Sequence, residues 1–338
     1  MKSPATITLN IGNALPFGNE KDTARIISLW ESLDDYFRHR PFVAQSGING
    51  KAKHYTISLN TESMVNMMTE AQTVSGSFSN HLASHIDDSS VSVSGELTIT
   101  IGNERHSQDE LETYQVATVF IQQLVMAANI ALPGSIQILD AKYVGEGARH
   151  YEAQSFDSRL LYGAMTTAKA NGSPSLHFHS FAIIWEWLDQ CEVSHRSTAI
   201  SDINKVLFTL LKVAEQRHEY SARTVLMVVY QLEVLLDHRD PSYLALTRNR
   251  ARLVLGEIPE SADCFAELYD VRNSLFLAHQ PVHRPPLICH GTADALKEQI
   301  GQHNTAVELG TALVLALIQD LVTHNAQRYE FTETFSRH

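Results

Sequence analysis

An arginine and a histidine stand seven positions apart in the stretch AELYDVRNSLFLAH, residues 266 to 279. At about 100° per residue, Arg272 and His279 lie roughly 20° apart around a helix axis and about two turns apart along it. Histidine transfers protons near neutral pH, and arginine keeps its charge and grips phosphate through two hydrogen bonds. The pair suits RNA cleavage without a metal, because that reaction needs proton transfer and a cation beside the phosphorane.

The same pair also has a structural interpretation. Arginine and histidine commonly share a solvated helix face, and a histidine in the last turn of a helix interacts favourably with the helix dipole. Pro281 should end the helix directly after His279, which places that histidine close to the protein surface. Spacing alone therefore leaves the catalytic and the structural interpretations open.

The C-terminal half of the chain must position this pair, and its pattern is helical throughout. Turn signals such as HRDP and GEIP separate short amphipathic segments. Short connections between helices favour a bundle with antiparallel neighbours. We predict helices at 178–190, 201–217, 219–237, 241–255, 261–280 and 292–325.

The N-terminal half mixes strands and helices. Its strand candidates are short, β-branched and alternating, and its helix candidates carry start signals and apolar spacing. We predict strands at 5–11, 54–59, 91–101 and 135–144 and helices at 22–40 and 107–132. The polar stretch TTAKANGSPS, residues 166–175, is predicted to be a loop near the domain boundary. The sequence thus predicts an α+β protein with a mixed domain over 1–165 and a helical domain over 176–338.

Composition sets the class of protein. The 338 residues are 44% hydrophobic and 19% charged, as in soluble globular proteins, and the net charge of −12 argues against broad salt-driven adhesion to nucleic acid. A small local basic site remains compatible with that charge. The N-terminus has no secretory signal pattern, and the apolar stretch TALVLALIQDLV is interrupted by Gln319 and Asp320 and too short for a bilayer. We expect a cytoplasmic protein without membrane attachment.

Metal and disulfide chemistry are not expected. The chain has three cysteines, an odd number whose spacing fits no zinc pattern. His177 and His179 alternate as ligands on a strand do, but the sequence shows no third ligand beside them. We therefore predict neither a metal nor another cofactor.

Three consecutive predicted helices carry a family resemblance. The stretches are VVYQLEVLLDH (228–238), LTRNRARLVLGEIPE (246–260) and CFAELYDVRNSLFLAH (264–279). They resemble the Apea-like branch of the HEPN superfamily, in which an LE.LL element precedes an R-x-A-x-L-L-G helix, followed by LYD.R and a histidine. The resemblance covers about residues 200–325. The matching residues are Leu232, Glu233, Leu235, Leu236, Arg250, Ala251, Leu253, Leu255, Gly256, Leu268, Tyr269, Asp270 and Arg272.

The resemblance implies a fold, an activity and residue roles. HEPN proteins are helical bundles that commonly dimerise, and many are metal-independent endoribonucleases of phage defence, toxin–antitoxin pairs or CRISPR systems. By this resemblance Arg272 binds the scissile phosphate, His279 transfers protons, and Asn273 orients the phosphate or the histidine. Six residues separate Arg272 from His279, the long end of the family's range of four to six. Gln280 stands where a glycine often follows the histidine.

A basic cluster precedes the candidate site. Arg248, Arg250 and Arg252 lie close in sequence, and residues 248 and 252 are one helical turn apart. They are candidates for holding an RNA backbone. Alternatively they are solvated, or paired with Glu257 and Asp263.

Tyr269 and His283 complete the predicted RNA-binding set. Tyr269 equally fits a packed ring whose hydroxyl meets a partner. His283 is near His279 in sequence, although Pro281 prevents a simple helical placement.

The sequence therefore predicts a homodimeric endoribonuclease of antiviral defence or toxin-type growth arrest. Its substrate would be RNA cleaved by 2′-hydroxyl attack, and the N-terminal domain would be a sensor or partner-binding module that receives a trigger. One alternative is a non-catalytic HEPN module that binds RNA, nucleotide or a protein partner. Another is a purely structural helical scaffold.

Overall fold

The fold contains both helices and an antiparallel sheet. A computed structural model describes residues 5–12, 20–38, 40–46, 51–78, 94–103, 110–144, 155–195, 197–215, 220–237, 244–276 and 294–332. The strands are β1 (Ala5–Gly12), β2 (Phe42–Ser46), β3 (Lys51–Asn60), β4 (Ser94–Asn103) and β5 (Gln137–Val144). The helices are α1 (Glu20–Arg38), α2 (Glu62–Phe78), α3 (Glu110–Ala131), α4 (Arg159–Asn171), α5 (Phe181–Gln190), α6 (Asp202–Ala214), α7 (Ala222–Leu235), α8 (Leu244–Leu255), α9 (Phe265–Phe276) and α10 (Asp294–Thr323). The predicted α+β class is confirmed.

The chain divides into two compact units. The first comprises Met1–Tyr162 and Phe178–Thr198, and the second comprises Gly163–His177 and Ala199–His338. All five strands belong to the first unit, and the described elements of the second are helical.

The first unit is built on a five-stranded antiparallel sheet in the order β2-β3-β4-β1-β5. Its strands bury every second residue, for example Ile7, Leu9 and Ile11 in β1, because successive side chains point to opposite faces. Helices α1, α2 and α3 contact this sheet. The predicted strands contained β1, β3, β4 and β5 in whole or part, whereas β2 and helix α2 were not predicted.

Helix α5 belongs to a different unit from the one predicted. The sequence assigned residues 178–190 to the helical domain, but the structure includes Phe178–Thr198 in the first unit. The reason is aromatic packing: Trp185 lies 4.7 Å from Phe37 of α1 and 5.6 Å from Phe120 of α3, measured between ring centroids. Trp185 and Trp187 are both buried in the core.

The loop predicted at 166–175 is wrong for its first six residues, which continue helix α4. Thr, Ala and Lys there are compatible with helix, and the Thr167 hydroxyl donates a hydrogen bond to Glu308 of α10. The breakers act only afterwards, since Gly172 adopts a positive φ of 73° directly past the helix.

The second unit is a set of helices with recognisable start signals. Ser201 caps α6 by accepting a hydrogen bond from the Asn204 amide, and Ser221 caps α7 in the same way through the Thr224 amide. Helix α8 ends at Leu255, and Gly256 directly after it has a φ of 84°, which suits glycine. Within the unit α7 contacts α6, α9 and α10, while α8 contacts α9 and α10.

Helix α10 approaches its neighbours closely at Gly310. A Cβ atom placed there would lie 2.7 Å from Leu268 Cδ1 of α9 and 2.8 Å from Val228 Cγ1 of α7. Both distances are shorter than van der Waals contact. Glycine therefore allows the backbone of α10 to lie against both helices.

One described helix segment, Gly301–Thr323 of α10, has the length and apolar composition to cross a membrane. It is longer than the apolar stretch noted in the sequence, yet 83% of its apolar window is buried within the protein. A buried core helix meets the same criteria, so this segment is weak support for a membrane span. Gln319 fits the buried helix because its side-chain amide bonds the backbone N–H and C=O of His177, each at 2.9 Å.

Candidate active site on helix α9

Helix α9 positions three of the predicted site residues: Tyr269, Arg272 and Asn273. The amide of Phe265 at its start donates to the Asp263 carboxylate at 3.3 Å. The helix buries Phe265, Leu268 and Tyr269, and position 272 continues that core-facing stripe. Arg272 is thus an arginine at a position where helical spacing calls for an apolar residue.

The Arg272 side chain is 15% exposed, and its charge is matched by a carboxylate. Its Nη2 atom lies 3.6 Å from Oε1 of Glu233 on α7, whose side chain is 17% exposed. Nη1 donates to the Asn273 side-chain oxygen at 3.2 Å, and the guanidinium carbon lies 5.6 Å from the centroid of the Tyr269 ring. These contacts hold the cation in place, since a charge withdrawn from water needs a partner.

Tyr269, about one turn before Arg272 on α9, belongs to the same network. Its hydroxyl donates to Glu233 Oε1 at 3.2 Å and lies 3.1 Å from the Thr247 hydroxyl of α8. Because the single phenolic proton goes to the carboxylate, Thr247 is the donor in the second bond. Burial raises the pKa of Tyr269 to about 12, opposed by the Thr247 hydrogen bond and reinforced by Glu233. These contacts match the structural interpretation of Tyr269, a packed ring whose hydroxyl meets a partner, which was the alternative to RNA binding.

Glu233 was not among the predicted site residues, although it belongs to the LE.LL element of the resemblance. Its flanking residues Leu232, Leu235 and Leu236 are buried. A glutamate within such an apolar run is a signal for a partner of opposite charge, because an unpaired buried carboxylate is costly. An arginine on the core-facing stripe of α9 likewise indicates a carboxylate partner on a neighbouring helix.

The three arginines of α8 have partners within the second unit. Arg248 Nη2 lies 2.7 Å from Asp263 Oδ2, and Arg252 Nε lies 3.9 Å from Glu257 Oε2. These are the ion pairs considered as the alternative to RNA binding, and the structure contains both.

Arg250 has a different structural task. Its Nη1 donates to the backbone carbonyls of Leu236 and Asp237, each at 2.7 Å, at the end of α7. Its guanidinium carbon also lies 4.6 Å from the ring centroid of Phe331. Arg250 thus satisfies carbonyl groups that the last turn of a helix leaves without partners. RNA binding by Arg248, Arg250 and Arg252 stays a prediction.

His279 and His283 lie outside the described residues. The shared helix face of His279 and Arg272 therefore stays a prediction, and so does the assistance expected from His283. Of the predicted catalytic set, the structure brings together Arg272 and Asn273 and adds Glu233 and Tyr269 to them.

Among the residues in the described ranges, no group of three or more histidine, cysteine, aspartate or glutamate side chains is arranged to hold a metal ion. The free thiols of Cys191 and Cys264 are buried. Burial raises the pKa of each to about 12, so both are poor nucleophiles at neutral pH.

The raised pKa of Tyr269 predicts a loss of stability at high pH. An unfolded tyrosine ionises near pH 10, while the folded one ionises near pH 12. Stability is therefore fully present below pH 10 and falls as the pH rises towards 12, by about 1–2 kcal/mol for this group. The urea transition of the second unit, analysed separately from that of the first at pH 9 and pH 11, should show a smaller loss of stability for Tyr269→Phe than for the unaltered chain. Tyr230→Phe, on an exposed tyrosine of α7, is the matched control and should leave the loss unchanged.

Comparison of this chain with protein-family models, with curated proteins and with solved structures found no match.

Proposed function

We propose that the chain is a metal-independent endoribonuclease of the HEPN type. The observation that carries the proposal is the fixed guanidinium of Arg272, held by Glu233 and flanked by Asn273 on the helix that bears the LYD.R motif. A cation positioned before the substrate arrives stabilises developing phosphate charge without reorganisation at the moment of reaction. The three-helix sequence resemblance supports the same assignment.

The proposed chemistry is an in-line attack within the RNA chain. A base removes the proton of the 2′-hydroxyl, the 2′-oxygen bonds to phosphorus, and the bond to the 5′-oxygen breaks as an acid supplies a proton to it. The products are a 2′,3′-cyclic phosphate and a 5′-hydroxyl end. In this scheme His279 transfers protons, Arg272 neutralises the phosphorane, and Asn273 orients the phosphate or the histidine.

The second unit would be the HEPN-like bundle, with α7, α8 and α9 supplying the three motifs. A homodimer is part of the proposal because one histidine serves poorly as both acid and base, and a two-fold axis would bring two copies together. The substrate would be single-stranded or looped RNA, whose sugar edge is accessible. The proposed enzyme would act in the cytoplasm, in antiviral defence or growth arrest. The first unit would receive its trigger.

A non-catalytic HEPN module is the second candidate. The burial of Arg272 favours it, because a guanidinium 15% exposed and beside a carboxylate is engaged before any phosphate arrives. In that case the bundle binds RNA, nucleotide or a protein partner, and Glu233, Tyr269 and Arg272 form a structural network. The negative charge of the chain is also more compatible with selective binding than with broad RNA adhesion.

Incubation with total RNA in excess EDTA separates the two candidates. The enzyme is expected to yield fragments with 2′,3′-cyclic phosphate ends, identified by mass spectrometry, from a species that light scattering measures as a dimer. RNA that is bound but left intact would contradict the enzyme and support the binding module. A monomer that cleaves RNA would contradict the composite dimer site while leaving the chemistry in place.

A further inference from the structure

The first unit contains a cavity of about 240 Å³ where α1, β2 and α5 meet. It plays no part in the proposed ribonuclease chemistry. Its walls combine aromatic rings with a few charged or polar groups, as small-molecule sites do. The lining residues used below are Tyr36, Phe37, Arg40, Phe42, Trp185, Asp189 and His195.

The aromatic walls are fixed by ring-to-ring contacts. The Trp185 indole lies 4.7 Å from Phe37 and 6.1 Å from Phe42, measured between centroids. Tyr36 meets Phe37 at 5.1 Å in an edge-on arrangement. Offset and edge-on contacts of this kind are favourable, so the walls keep their shape without a ligand. Phe37, Phe42 and Trp185 are buried, so a flat apolar ligand would contact only the parts of these rings that line the cavity.

The positive charge at the cavity is already matched. Arg40 forms an ion pair with Glu186 and donates to the Tyr36 hydroxyl at 2.9 Å. Its guanidinium carbon also lies 4.6 Å from the Tyr36 ring centroid. Arg40 therefore closes one side of the cavity and adds little unmatched charge for an anionic ligand.

The negative charge at Asp189 is less well matched. Gln123 donates to its Oδ1 at 2.8 Å, and Trp185 supplies a second hydrogen bond; both of these donors are neutral. His195, which also lines the cavity, interacts electrostatically with the carboxylate and opposes the rise of its pKa. Asp189 is exposed as a residue, yet desolvation of its carboxyl group raises its pKa above the ordinary value. A carboxylate offers about four acceptor positions, so a ligand with N–H donors would satisfy it further.

We propose that this cavity binds a small planar heterocycle by its donor edge, with a guanine-type base as the matching ligand. The N1–H and N2–H groups of guanine are adjacent and point the same way, which allows both to bond one carboxylate. The flat ring suits the aromatic walls. A volume of about 240 Å³ has room for a base or nucleoside. The proposal gives the first unit a ligand class and does not rest on the ribonuclease assignment.

Calorimetric titration of the full chain with three nucleosides tests the donor pattern. Guanosine offers two adjacent donors, inosine lacks the N2 amino group, and adenosine has no proton at N1. We expect guanosine to bind most tightly, inosine about fivefold more weakly and adenosine at least tenfold more weakly. Equal binding of adenosine and guanosine, or no binding of either, would overturn the proposal. Tetramethylammonium binding more tightly than guanosine would overturn it too, since an aromatic site for organic cations explains that result.

Two variants tie the affinity to the cavity. Asp189→Asn should weaken guanosine binding at least tenfold, and Asp34→Asn, a carboxylate of α1 paired with Arg38, is the matched control that should not. Unchanged affinity in a folded Asp189→Asn protein would refute the role of this carboxylate. Should that variant fail to fold by circular dichroism, Tyr36→Leu decides the matter. It removes an aromatic wall while keeping an apolar side chain, and unchanged guanosine affinity in it would equally refute the site.

Discussion

Replacing Arg272 by alanine is expected to lower the rate of metal-independent RNA cleavage by about 10²–10³-fold. The loss follows from the proposed role of the guanidinium, which would face charge that develops only in the transition state. Arg272→Lys should lose about tenfold, because an ammonium keeps the charge but not the paired N–H donors. The measurement is single-turnover cleavage of a labelled RNA in EDTA.

The control for this experiment is Arg328→Ala. Arg328 pairs with Glu330 at the surface of the same unit, where its side chain is 74% exposed. Its removal changes the net charge by the same amount but should leave the rate within about twofold. Equal rates for Arg272→Ala and the unaltered chain would rule out the proposed role of Arg272. The circular dichroism of each variant must match, since Arg272 is also an ion-pair partner.

Removing Glu233 is expected to produce the largest change in stability, a loss of about 3 kcal/mol in the second unit. Glu233→Ala would leave the guanidinium of Arg272, with its side chain 15% exposed, without its carboxylate. It would also remove the acceptor of the Tyr269 hydroxyl. Glu233→Gln keeps an acceptor oxygen and should lose less. The readout is hydrogen exchange of the α7 and α9 amides, because a chain with two units does not unfold in one two-state step.

A double-mutant cycle isolates the pair itself. If Glu233 and Arg272 depend on each other, the variant lacking both is less destabilised than the sum of the single changes, by at least about 1 kcal/mol. Glu330→Ala, which removes an exposed carboxylate from a surface pair, is the matched control and should cost less than about 0.5 kcal/mol. Additive effects of the two single changes would show that the carboxylate and the guanidinium act independently.

Helices α6, α7 and α8 of the second unit were predictable because each has a local signal. Ser201 and Ser221 mark starts, Gly256 marks an end, and apolar spacing defines the buried faces. Strand β2 has five residues, too few for alternation to stand out. Helix α2 buries Met64 and Met68, but its later Thr, Val, Ser and Gly residues favour helix weakly.

The site was only partly predictable for a different reason. Arg272, Asn273 and Tyr269 share one helix, so their sequence spacing fixes their relation. Glu233 lies 39 positions before Arg272 and meets it only through the packing of α7 on α9. The pairs of Arg248 and Arg252 with nearby acids could be anticipated, since their partners follow within 15 residues. The role of Arg250 at the end of α7 depends on backbone carbonyls, which no side-chain pattern reveals.

Gly310 sets the geometry of the candidate site from a distance. The residues it touches, Val228 and Leu268, precede Glu233 and Arg272 by five and four positions on their own helices. A methyl group at position 310 would act as a wedge that drives α7 and α9 apart. The carboxylate and the guanidinium would then separate although neither had been altered. The absence of a side chain at position 310 thus sets the distance between Glu233 on α7 and Arg272 on α9.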